Sequence, residues 1–205
     1  MDMARGNSGR WKEDLRIRLA GAALFAIQAG CAAKRGVPQA TFHDPNMDFS
    51  LVHTVAVLPF ANLTPTQSAA ERVRDVFATV LQATGGVYVL PPGEVAKGIA
   101  RVNPASATSP SAEEVMSFAK AVNADAVITG IVLEYGEARS GSATANYISI
   151  SVKMMEAKTG KIVWSAASTR GGVGASQRLF GGGGEPMNEV TARAVDDLID
   201  QLFKK

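Results

Sequence analysis

Between residues 53 and 203 the hydrophobic period switches repeatedly between about two and about 3.6 residues. That order of elements limits the fold more than any single motif does. Residues 53–60, HTVAVLPF, form a β-branched apolar run and are predicted to be an interior strand, closed by Pro59 and residues 62–65. Helical spacing follows over 68–83, with Val73, Val76, Phe77, Val80 and Leu81 on one stripe and Glu71, Arg72, Arg74 and Asp75 toward water. Gly85 and Gly86 end that helix, and residues 87–90, VYVL, give a short strand. Pro92 opens a short helix containing Val95, Ile99 and Val102. Ser111 followed by Glu114 matches a capping box and starts a helix that runs to about residue 122. Residues 126–133 are predicted to be a strand, and the polar stretch 134–143 an exposed turn or loop. Residues 146–156 alternate cleanly, 157–160 make a tight turn, and 161–168 return, with Ile162 and Trp164 alternating against Val163. This is the strongest hairpin signal in the chain. A glycine-rich polar stretch, 171–184, precedes a terminal helix over 188–203. The order β-α-β-α-α-β-β-β-α, without repeats, predicts the α/β class: one small sandwich domain with a mixed β-sheet flanked by helices.

Composition agrees. The 205 residues are 46% apolar and 20% charged, a soluble globular balance that excludes a polytopic membrane protein. A net charge of +2 gives no basic stripe for nucleic acid. The single cysteine excludes an internal disulfide framework and a thiolate zinc site.

That cysteine ends a signal-like segment. Basic residues Arg5, Arg10, Lys12, Arg16 and Arg18 precede the uncharged stretch 19–29, LAGAALFAIQA. A basic n-region before a short apolar h-region is a secretory signal, and eleven residues fall short of a hydrocarbon core of about 30 Å. The h-region ends in Gln28-Ala29-Gly30-Cys31, which resembles the bacterial lipobox. Ala29 and Gly30 match it, whereas Gln28 replaces the usual aliphatic residue. The resemblance implies that Cys31 is acylated, palmitate included, and becomes the first mature residue. Ala32 and Ala33, with no Asp behind the cysteine, resemble outer-membrane sorting. The alternative is a lone buried cysteine at the end of an apolar helix. The expected organisation is therefore a signal peptide over 1–30, a lipidated N-terminus and tether over 31–52, and a periplasmic α/β domain over 53–205. Removing 1–30 leaves 16 basic and 16 acidic side chains, so the apparent basicity belongs to the export signal. Phe42 and Phe49 leave open that part of the tether docks on the domain.

Catalytic patterns do not assemble. Gly181 to Gly184 lacks the Lys-Ser/Thr ending of a phosphate loop. His43 and His53 fit no metal spacing. Glu113-Glu114 and Asp196-Asp197 are helical neighbours that diverge; Glu114 has a capping role, and Asp196, Asp197 and Asp200 read as a solvent face. No catalytic residue, cofactor or metal ligand is assigned, and an enzyme is not expected. Leu179 and Phe180, beside the glycines, are candidates for a protein contact, with local packing as the alternative.

Three segments carry a family resemblance: residues 55–62 (VAVLPFAN), 124–130 (ADAVITG) and 158–164 (KTGKIVW). In this order, behind a lipobox, they resemble an envelope superfamily comprising the curli-secretion lipoprotein CsgG and its relatives. Those relatives include the lipoprotein activator of penicillin-binding protein (LpoB), the Pel-polysaccharide lipoprotein (PelC), the GNA-type lipoproteins and the TolB amino-terminal domain. The resemblance implies structural roles: Pro59 and Asn62 shape the loop after the first strand, Asp125 and Gly130 flank the central strand, and residues 158–160 form the hairpin turn before a packing Trp164. It further implies a non-enzymatic outer-membrane lipoprotein, facing the periplasm. Such a protein would act as an assembly, scaffold or regulatory component of an envelope complex, through its lipid anchor and envelope proteins as partners, homo-oligomers included. The alternative is a ring-forming accessory component of curli-like secretion or polysaccharide export. Of the segments that stand where the curli channel inserts membrane hairpins, 165–187 is too glycine-rich and polar, and 134–156 supplies one good strand.

Overall fold

A computed structural model describes residues 41–174 and 184–204. Its strands are β1 (Thr41–His43), β2 (Thr54–Val57), β3 (Ala61–Asn62), β4 (Tyr88–Val89), β5 (Ala126–Ser140), β6 (Ala143–Glu156) and β7 (Ile162–Gly171). Its helices are α1 (Ala69–Ala83), α2 (Pro92–Val102), α3 (Ala112–Val122) and α4 (Met187–Phe203). One sheet runs β1-β7-β6-β5-β2-β4, with β3 continuing the β2 side along β5. β2 is parallel to β4 and β5, whereas β5, β6, β7 and β1 pair antiparallel. The α/β reading with a mixed sheet is thus the observed fold.

Side-chain alternation on β2 and β5 assigns the helices to opposite faces. Val55, Val57 and Ile128 face α1 and α4, together with Ile148, Ile150 and Trp164. Ala56, Leu58 and Val127 face α2 and α3, against Val95, Val115 and Phe118. The stripe read on the terminal helix, Val190, Ala194, Val195, Leu198, Ile199 and Leu202, is buried throughout. The capping box at Ser111 and Glu114 is formed on both sides.

The structure extends or departs from the sequence reading at several places. Within the stretch read as tether, β1 adds an edge strand to β7, and Phe49 packs on the core, so the docking left open is realised over these residues. The segment 134–143 is not a loop: β5 continues to Ser140 and turns at Gly141 into β6. A backbone ladder needs no apolar alternation, and a bulge between Val132 and Glu134 re-aims the outer half of the hairpin. The return strand does not alternate as expected. The register slips between Met154 and Met155, so Val163 and Trp164 are both buried while Ile162 is exposed. Finally, Arg74 does not face water. Its Nε and Nη2 donate to the Val57 carbonyl at 3.1 and 3.0 Å. That carbonyl lies where the strand is about to be broken by Pro59, so the guanidinium satisfies an acceptor at the end of the run.

Candidate interaction surface

The resemblance residues hold the fold. Asn62 binds the loop after β2 from both ends of its amide: Nδ2 donates to the Thr66 carbonyl at 2.8 Å, and Oδ1 accepts from the Thr64 amide at 2.9 Å. Asp125 Oδ2 accepts from the amides of His53 and Thr54, each at 2.9 Å, and so closes the start of β2. Gly130 leaves room for Phe60, whose ring atoms would lie 2.8 Å from a Cβ placed there. Phe60 in turn meets Phe77 edge-on, with centroids 5.9 Å apart. Gly160 sits at φ +66° in the hairpin turn, against α3.

Three of the other acidic and imidazole groups singled out in the sequence, Asp197, His43 and Glu114, are also engaged structurally. Asp197 is not on the solvent face of α4. It accepts from Ser168 Oγ at 3.0 Å and from the Arg170 guanidinium, tying α4 to β7, and it raises the Arg170 pKa by that hydrogen bond. The sequence hid this pairing because 27 residues separate the partners. His43 Nε2 lies 3.4 Å from the Leu202 carbonyl, and its ring meets Phe49 edge-on. Glu114 accepts from the amides of Ser111, at 2.7 Å, and Ala105, at 2.6 Å. These donors, Ser111 first, hold its carboxyl below the usual carboxylate range.

Glu114 thereby pins the loop between α2 and α3. Because its folded pKa is depressed, its contribution is full above the ordinary carboxylate pKa of about 4.3 and is lost as pH falls toward the folded value. The amides of Ala105 and Ser111 are therefore expected to lose exchange protection on acidification below about pH 4, and Glu114→Gln to weaken it already at neutral pH. Amide shifts at Ala105 that stay constant between neutral pH and the fully protonated state would contradict this.

The two faces of the sheet are covered unequally. α2 and α3 cover only the β2 side of their face. Beyond them lie two cross-strand rows on β5, β6 and β7: Thr129–Lys153–Ser165, continued by Phe42 of β1, and Ile131–Ser151–Ala167. Phe42 is 47% exposed and Ile162, beside the rows, 40%. Between this open face and the pinned loop is a pocket of about 150 Å³. A larger one, of about 330 Å³, is lined by Asp48, Asp125, Glu156 and Lys158. Its carboxylates are occupied: Asp48 caps the 3₁₀ turn 49–51, Asp125 holds β2, and Glu156 accepts from Thr159 Oγ1 at 2.6 Å. Among the described residues no cluster of His, Cys, Asp and Glu could hold a metal ion, and no helix is long and apolar enough to cross a membrane. Cys31, Leu179 and Phe180 lie outside the described residues.

Fold and surface define a small mixed-sheet α/β domain whose distinctive polar residues secure loops, caps and strand ends, and in which the described helices leave part of one sheet face uncovered. The model of the family described as peptidoglycan-synthase activator LpoB matches residues 35–169, and the chain belongs to that family. No curated protein sequence matches it. Its fold is similar to that of a PelC variant dodecamer from Paraburkholderia phytofirmans, at 20% identity and TM-score 0.56, over 82% of this chain and 98% of that one. It is also similar to lipoprotein GNA1162 from Neisseria meningitidis, at 18% identity and TM-score 0.52, over 73% of this chain and 97% of that one. The family resemblance stands for LpoB, and the likeness to PelC and GNA1162 is one of fold.

Proposed function

We propose that this protein is a lipid-anchored, non-enzymatic regulator of a peptidoglycan synthase, acting through protein contacts from the outer membrane into the periplasm. The match to the synthase-activator family over residues 35–169 carries the reading. It is supported by the acidic side chains Glu114, Asp125 and Asp197, which serve backbone and ion-pair roles. The anchor is Cys31, after removal of residues 1–30, with residues beyond it spanning toward the domain; Leu179 and Phe180 are candidate contact residues. Kinship with the curli-secretion lipoprotein and the TolB amino-terminal domain belongs to the same reading. The test of function is a reconstituted assay in which the full-length protein, in detergent, raises the rate of glycan polymerisation by a synthase of its own envelope.

Acylation has its own test. The mature protein is expected to begin at Cys31 and to carry the mass of diacylglyceryl and N-acyl groups; Cys31→Ser is expected to abolish both the added mass and the processing. An unmodified Cys31 in the mature protein would contradict the anchor. A second reading is a ring of copies accessory to secretion or polysaccharide export, favoured by the fold shared with the PelC dodecamer together with the open sheet face. It predicts a detergent particle of high symmetric stoichiometry, whereas a monomer by light scattering would count against it.

A further inference from the structure

The pocket between the open sheet face and the α2–α3 loop gathers a lysine and several hydroxyls in one lining. Thr129, on the central strand, is 9% exposed and lines the pocket; its hydroxyl makes no hydrogen bond to a described residue and stays accessible to solvent. Lys153 stands next to Thr129 in register, lines the same pocket and makes no ion pair with a described residue. Among the described residues it is the only charged one in the lining. Ser151 adds a hydroxyl from the next row, and Thr108, whose Oγ1 pairs with Ser106 Oγ at 3.2 Å, stands at the rim, where Glu114 fixes the loop. Met155 and Ile162 supply apolar wall.

We infer that this pocket binds one carboxylate carried on a short aliphatic arm. The Lys153 ammonium supplies the charge, the Thr129 and Ser151 hydroxyls donate to the carboxylate oxygens, and Met155 and Ile162 pack the arm. A phosphate is a poorer fit: one cation faces the pocket, and no helix start or guanidinium lines it. A volume of about 150 Å³ accommodates a side chain or chain end rather than a free-standing metabolite, so the ligand is an extended acidic peptide presenting a Glu side chain or a terminal carboxylate. This rests on the contact reading for the source of the peptide. Its test needs no synthase, so either can fail alone.

Three peptides probe the full-length protein in detergent, with amide shifts of Thr129, Ser151 and Lys153 as readout. They are acetyl-Ala-Ala-Glu-Ala-Ala-amide, acetyl-Ala-Ala-Ala with a free C-terminus, and acetyl-Ala-Ala-Gln-Ala-Ala-amide. Saturable shifts with one or both carboxylate peptides, and none with the glutamine peptide, are expected; which carboxylate peptide binds identifies the source. Lys153→Met is expected to weaken binding about tenfold, with Lys153→Arg restoring most of it, and Thr129→Val to weaken it several-fold at unchanged stability. Equal binding of the glutamine peptide, no saturable shift with either carboxylate at millimolar peptide, or Lys153→Met binding like the wild type would each overturn the inference.

Discussion

Replacing Gly160 by valine is expected to leave the domain unfolded or nearly so at 25 °C. The residue closes the hairpin turn at φ +66°, a conformation that costs a β-branched side chain about 1–2 kcal/mol. Space is the larger obstacle. A Cβ at Gly160 would lie 2.6 Å from the carbonyl oxygen of Ala112, 2.8 Å from its Cβ and 2.9 Å from its Cα. Those atoms belong to the first residue of α3, whose start is held by the Ser111–Glu114 capping box, so the obstacle is backbone that cannot swing aside. Relief requires the turn to lift from α3, which uncovers the pocket rim as well as the second core cluster. The loss is expected to be about 4 kcal/mol or more, a large part of the stability of a domain this size. Gly160→Ala should fall between the two, carrying the Cβ clash without the branched side chain. Urea unfolding followed by circular dichroism measures both. A Gly160→Val midpoint close to the wild-type value would show that the turn and helix are not locked together.

Truncating Trp164 is the second large effect, and it separates shape from polarity. The indole is fully buried between β7 and the α1–α4 layer, and its Nε1 finds no acceptor among the described residues. Trp164→Ala leaves a cavity at the centre of the larger core and is expected to cost about 3–5 kcal/mol. Trp164→Phe keeps an aromatic ring and removes the orphan donor, whose burial costs about 1–3 kcal/mol, so the lost area is largely offset. Its expected net cost is about 1 kcal/mol. Equal costs for the two variants would mean that the indole N–H has a partner in solution, or that the full indole shape is what the core requires.

What could be read from the sequence, and what could not, follows the range of the interactions. The helix over 69–83, the capping box at Ser111, the turn ending at Gly160 and the stripe of the terminal helix are local. In each, the partner lies within a few residues, so spacing alone carries the information. β1 is legible only as Phe42, because three residues show no period and their pairing is supplied by β7. The outer half of the β5–β6 hairpin was missed because Glu134, Glu137 and Arg139 look like loop, whereas the ladder is satisfied by backbone that side-chain composition does not report. Arg74 and Asp197 read as surface charges; their partners, Val57 and Arg170, are 17 and 27 residues away. The pocket at Thr129 and Lys153 had no signal of its own. It exists because α2 and α3 stop short of covering the sheet, which is a matter of helix length against sheet width rather than of any motif.

The same distinction explains why the resemblance segments pointed correctly to the family without pointing to a site. Asn62, Asp125, Gly130 and Gly160 are positions where this backbone admits few alternatives: an amide serving both sides of a loop, a carboxylate closing a strand start, and two glycines pressed against a ring and a helix. The open sheet face, with its hydroxyls and one lysine, is where this chain is free to be particular.

The most direct test of the proposed role is the polymerisation rate of purified peptidoglycan synthases from the same envelope, measured on lipid-linked precursor with and without the full-length protein in detergent. The account predicts that one synthase accelerates several-fold, that the effect saturates as the protein approaches one copy per synthase, and that the protein alone leaves the precursor unchanged. Unchanged rates for every synthase of that envelope, or turnover of the precursor by the protein alone, would contradict it.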